Sequence, residues 1–132
     1  NDENPNQSYI EDALKIDPEF EPALIAKAEI LRRQGDFEKS SYICNHLINK
    51  KSKYTTRSYS MISRSKKFTD PSDELIEKIK VSLKSSVQNE KIELNFALGK
   101  IYEDLKLYKE SFKYYKEANQ LKLNNDSTIS II

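Results

Sequence analysis

The chain has 132 residues, 37% hydrophobic and 33% charged, with a formal net charge of +1, one cysteine and two glycines. That length bounds it to one domain or a short repeat array with a modest core. Scarce Gly and Pro point to all-helical structure, one cysteine excludes an internal disulfide framework or a cysteine-rich zinc site, and no apolar run is long enough to cross a membrane.

The opening NDENPNQSY has neither an initiator Met nor the apolar stretch of a signal peptide. It reads as the start of a processed or excised piece, expected in the cytoplasm. Charge is uneven. No acidic residue lies between Glu38 and Asp70, whereas Lys39, Lys50, Lys51, Lys53, Arg57, Arg64, Lys66 and Lys67 do. Removing these eight cations from the net +1 leaves about −7 on the flanks.

In chain order, YIEDALKIDPEF reads as the last helix of a truncated unit over 5–17. Pro18 cannot continue a helix and disfavours helical geometry at Asp17. A helix pair is expected over 20–50. Leu24, Ala28 and Leu31 stripe its first helix, Gly35 and Asp36 turn and cap, and Phe37, Ser40, Ser41, Cys44, Leu47 and Ile48 face inward from its second. A middle pair is expected over 54–86. Asp70 is its expected cap, Pro71 sits in the first turn, and Leu75, Ile76, Ile79 and Leu83 form the stripe.

The last pair is expected over 89–122. Leu98, Ile101, Tyr102 and Leu105 stripe one helix, and Tyr108, Phe112, Tyr115, Ala118 and Leu121 the other, across the tight turn Lys106-Leu107. Residues 123–132 are expected to be a tail or the start of a linker.

The first and last pairs superpose with one offset of 71 residues. It brings Ala28 onto Gly99, Leu31 onto Tyr102, Phe37 onto Tyr108, Ser40 onto Ser111 and Leu47 onto Ala118. Ser63 falls at the matching place in the middle unit. Ala28, Ser63 and Gly99 are therefore expected packing positions, where the second helix crosses the first closely. A helical Gly costs about 1 kcal/mol against Ala, which a close crossing would repay.

LGKIY at 98–102, followed by Tyr108, Ser111, Tyr115 and Ala118, resembles the tetratricopeptide repeat family, and Asp17-Pro18 stands at the family's customary junction. Ser111 stands where Ala is usual and Lys106 where the turn Gly is usual. The resemblance implies an all-α solenoid: a right-handed superhelix of antiparallel helix pairs, about three pairs plus the leading helix, that binds a protein or peptide and has no cofactor or chemistry of its own. More narrowly, SRSKKFTDPSDELIEKIKVSLKSS and then LNFALGKIYEDLKLYKESFKYYKEANQLK resemble the N-terminal helical region of bacterial tetratricopeptide-repeat sulfotransferases. The alternative function this implies is an accessory domain whose catalytic part is absent from the chain. No glycine follows Gly99, so no phosphate-binding loop of that family is present.

First helices of such stacks line a concave wall, here expected to present Glu29, Arg32, Arg33, Arg57, Arg64 and Lys67, then Phe96, Lys100 and Glu103. Its cations suit an acidic partner. Cys44 and His46 lie about 200° apart around one helix and cannot work together. Adjacent carboxylates such as Glu103-Asp104 diverge rather than converge on a pocket. No metal site is expected, and Arg content and acidic flanks argue against nucleic acid. Self-association through the solenoid ends is a further expected partner mode.

Overall fold

The computed structural model describes residues 5–131. Among these the chain is all-α, with seven helices and no strand, arranged as a helical repeat. It divides into two compact units, one ending at Ser65 and the other beginning at Lys66.

Unit 1 contains α1 (Pro5–Ile16), α2 (Glu21–Arg33), α3 (Phe37–Asn49) and α4 (Thr55–Ser65). Pro22 sits in the first turn of α2, where its missing N–H costs nothing. Past the end of α2, Gly35 takes φ +86°, a conformation that side chains other than glycine adopt only with strain. Asp36 then caps α3, its carboxylate accepting the Lys39 N–H at 3.2 Å. The chain thus reverses within three residues and α2 packs against α3. Ala28, Cys44 and Leu47 are fully buried, and the Ser40 hydroxyl donates to the Ala28 carbonyl at 2.8 Å.

Unit 2 contains α5 (Glu74–Lys84), α6 (Gln88–Asp104) and α7 (Tyr108–Ile131). Glu90 folds back to accept the Val87 N–H at the start of α6. At the α6–α7 turn Lys106 takes φ +62°, a left-handed conformation strained for a residue that carries a Cβ. Leu94, Leu98, Ile101, Ile79 and Ala118 are fully buried. The Ser111 hydroxyl donates to the Gly99 carbonyl at 2.8 Å, repeating the Ser40–Ala28 bond 71 residues on.

Gly99 is buried, and a Cβ built on it would stand 2.6 Å from Tyr115 Cδ1 and 2.9 Å from Cγ. Position 44, equivalent to 115, carries the small Cys44 opposite Ala28. At this crossing unit 2 thus carries Gly99 with Tyr115 where the corresponding positions of unit 1 carry Ala28 and Cys44. Ser63 is also fully buried, with its hydroxyl on the Ser60 carbonyl at 2.7 Å.

Several expectations are corrected. Asp73, not Asp70, caps α5, accepting the Leu75 N–H at 3.0 Å. Asp70 is held in a local turn by the Ser72 N–H and hydroxyl and cannot reach the helix start. The middle pair over 54–86 is split by the unit boundary, because α4 belongs to unit 1 and α5 to unit 2. Residues 123–131 are not a tail but the continuation of α7, since no Gly or Pro stops it; residue 132 lies outside the described residues. Phe37, Tyr108 and Phe112 are largely exposed rather than inward, because they lie at the edge of their helices beyond the strip marked by buried Ser40 and Ser111.

Candidate functional site

The expected site residues in unit 1 gather on α2 and α4, which contact one another. Glu29 is mostly buried, and Arg32 Nη2 donates to its Oε1 at 2.7 Å. Arg33, one turn from Glu29 and 68% exposed, approaches the same oxygen at 3.6 Å. Burial pushes the Glu29 carboxyl up. The Arg32 hydrogen bond and the charges of Arg32, Arg64 and Arg33 outweigh it and hold the carboxyl below its ordinary value. Arg64 and Arg57 are both exposed on α4.

Two buried polar atoms in this cluster, Glu29 Oε2 and Arg32 Nε, have no hydrogen-bond partner. An unpaired buried polar atom costs free energy. Beside it lies a cleft of about 460 Å³. Its α2 wall is Ile25, Ala26, Glu29, Ile30 and Arg33, with Ile10 of α1, Tyr54 and Arg57 completing the lining. An aliphatic floor with arginine at the rim can hold an apolar side chain and a neighbouring carboxylate.

In unit 2 the expected wall residues are largely committed to their own fold. Lys100 is no free cation: its Nζ pairs with Asp104 and donates to the Lys66 carbonyl. Glu103 accepts the Tyr115 hydroxyl at 2.9 Å, and Phe96 meets the Tyr115 ring at a centroid distance of 6.2 Å. Burial, helped by the Glu103 carboxylate, pushes the Tyr115 phenol up to about 12. Lys67 is exposed in the segment before α5.

Phe68 was not singled out as a site by sequence reasoning, and it organises this end of unit 2. It is buried, its N–H donates to Asp104 Oδ2 at 3.1 Å, and Lys66 and Lys100 lie 4.6 and 5.5 Å from its ring centroid. The only signal was the Lys-Lys-Phe run, which carries no helical period. Tyr114 is half-buried and stacks on Tyr102 at 5.5 Å with Lys80 beside that ring.

Cys44 is buried, and desolvation pushes its thiol up to about 11 against the opposing influence of the nearby Ser58 and Ser40 hydroxyls. His46 Nε2 lies 2.8 Å from Glu19 Oε1, an exposed contact shared with Lys50. Among the described residues no cluster of three or more His, Cys, Asp or Glu could hold a metal, and no helix is long and apolar enough to cross a membrane.

Residues 92–125 match the family model described as Tetratricopeptide repeat, which supports the resemblance carried by residues 98–118. The matched stretch covers most of α6 and the first three-quarters of α7. No curated protein and no solved structure matches the chain. Repeats of this family commonly act as interaction scaffolds, which agrees with the all-α repeat architecture and with side chains that converge for packing rather than for reaction.

Proposed function

We propose that this chain is a binding scaffold that recognises an acidic protein segment along the exposed faces of its first helices, through equilibrium contacts and no covalent step. The observation that carries the reading is the α2–α4 cluster of unit 1. Three guanidinium groups there, those of Arg32, Arg33 and Arg64, act on one mostly buried carboxylate and Arg57 lines the adjoining aliphatic cleft, which leaves an excess of positive charge beside it. Arginine suits such a role because its planar fork meets a carboxylate with two parallel hydrogen bonds. Charge steering of this kind raises the encounter rate and falls with salt.

The test is titration of the chain with acidic peptides, compared with an Arg64→Glu variant. Weaker binding by the variant is expected; unchanged affinity would remove this face as the site.

A second reading assigns the chain to a sulfotransferase as an accessory domain. It rests on the resemblance of residues 63–122, and a strand followed by a Gly-containing phosphate loop in the parent sequence would support it. Self-association is the third. Exposed Tyr108 and Phe112 on α7 supply apolar surface for it, and light scattering that stays monomeric with rising concentration would dismiss it.

A further inference from the structure

We infer that the unit 1 cleft is a seat for an extended partner segment in which one large apolar side chain, aromatic by preference, is flanked by carboxylates. The inference rests on the peptide-binding reading above and specifies what that reading leaves open. It comes from comparing the two units at the 71-residue offset. The five α2 residues that wall the cleft, Ile25, Ala26, Glu29, Ile30 and Arg33, correspond to Phe96, Ala97, Lys100, Ile101 and Asp104 of α6.

In unit 2 that stripe is closed: Ala97 is 3% and Ile101 0% exposed. At its Lys100–Asp104 end lies an extended piece of the chain itself, residues 66–68. Lys100 donates to the Lys66 carbonyl, Asp104 accepts the Phe68 N–H at 3.1 Å, and the Phe68 ring is buried under the Lys100 ammonium. In unit 1 the corresponding Ala26 and Ile30 are only half-buried and border the 460 Å³ space. One unit thus holds an extended segment and its apolar side chain at the Lys100–Asp104 pair, whose counterpart in the other unit, Glu29 and Arg33, borders an open cleft. The volume falls within the roughly 300–1,000 Å³ range of ligand pockets.

The charges say how the occupants must differ. Lys100 is replaced by Glu29 and Asp104 by Arg33, so the polarity of the pair is reversed. Glu29 is already engaged by Arg32 and Arg33, which leaves Arg33's outer side and Arg57 at the rim as the unspent groups. A segment carrying lysines, as residues 66–68 do, would meet like charge there. One carrying Asp or Glu beside the apolar anchor meets opposite charge and bidentate donors.

The experiment is fluorescence anisotropy on the full chain with three labelled octapeptides, at about physiological salt. The first is Ser-Glu-Ser-Glu-Glu-Phe-Thr-Asp, which is the 63–70 sequence with its basic residues changed to Glu. The second replaces its Phe by Ala, and the third is the unaltered Ser-Arg-Ser-Lys-Lys-Phe-Thr-Asp. The first should bind, and each of the others should bind about tenfold more weakly or worse. Arg57→Glu, at an exposed position, and Ala26→Leu, which fills the cleft, should each weaken the first peptide by a similar factor, with helicity checked by circular dichroism.

Equal binding of the Phe and Ala peptides, or full binding by both cleft variants, overturns the inference. If Arg64→Glu still weakens that binding, the acidic-partner reading survives without the cleft. No binding of the first peptide also overturns the inference, while the scaffold reading stands or falls on its own charge-reversal titration.

Discussion

Replacing Gly99 by Ala should destabilise the protein although alanine is the better helix former. The propensity gain is about 1 kcal/mol. Against it, the new methyl would sit 2.6, 2.7 and 2.9 Å from three carbons of the Tyr115 ring, including Cγ next to the backbone. The ring cannot swing away freely, because its hydroxyl is held by Glu103 and its face by Phe96. Nor can α7 easily lift, because Ser111 ties it to the Gly99 carbonyl itself. Overpacking of this kind costs about 1–3 kcal/mol, so the net change is a loss of about 1 kcal/mol. In a Tyr115→Ala background the clash is gone, and the same substitution should gain about 1 kcal/mol. Urea denaturation followed by circular dichroism on the four proteins of this cycle measures the coupling, expected near 2 kcal/mol. A Gly99→Ala chain more stable than the parent, or a coupling near zero, would refute the account of why this helix carries a glycine.

Other outcomes are expected from the same reasoning. Lys106→Gly should stabilise by about 1 kcal/mol, because the φ of +62° is strained for lysine and free for glycine, and a thermal melt will show the sign. Asp73→Ala should cost about 1 kcal/mol at neutral pH by removing the α5 cap. Burial raises the Asp73 carboxyl, but the Leu75 N–H and Lys66 together hold it below its ordinary 3.8. Its contribution is therefore complete above that value and is lost as pH falls through the lower folded value. Asp73→Asn should flatten this part of an acid titration of stability. Cys44, with its thiol raised to about 11 and fully buried, should react with a thiol reagent at neutral pH only at the rate of opening, and fast in denaturant; prompt reaction of the native chain would contradict its placement.

The helices themselves were legible in the residue pattern because amphipathic period, turn glycine and capping aspartate are local signals. α1, α2, α3 and the α6–α7 turn fall where those signals put them, and the 71-residue offset paired Ser40 with Ser111, which the structure shows making the same hydrogen bond. Signals that compete locally were harder to read. Asp70 was read as the cap of α5, whereas the turn at Ser72 occupies Asp70 and Asp73, three residues on, holds that place. The end of α7 was misread because a polar, β-branched stretch is a weak helix former, while nothing in it forbids a helix already nucleated upstream.

The candidate site was legible as a set of residues and not as an arrangement. The sequence by itself placed Glu29, Arg32, Arg33, Arg57 and Arg64 on first helices, because position on a helix follows from spacing. Tertiary structure alone decided that Arg64 joins Arg32 and Arg33 around the mostly buried Glu29, that Lys100 also holds the Lys66 carbonyl, and that Phe68 is buried against the Lys100–Asp104 pair while Ala26 and Ile30 border a cleft. Those outcomes depend on residues some thirty positions apart meeting across a packed surface, and no local pattern encodes which charges are left over once they meet.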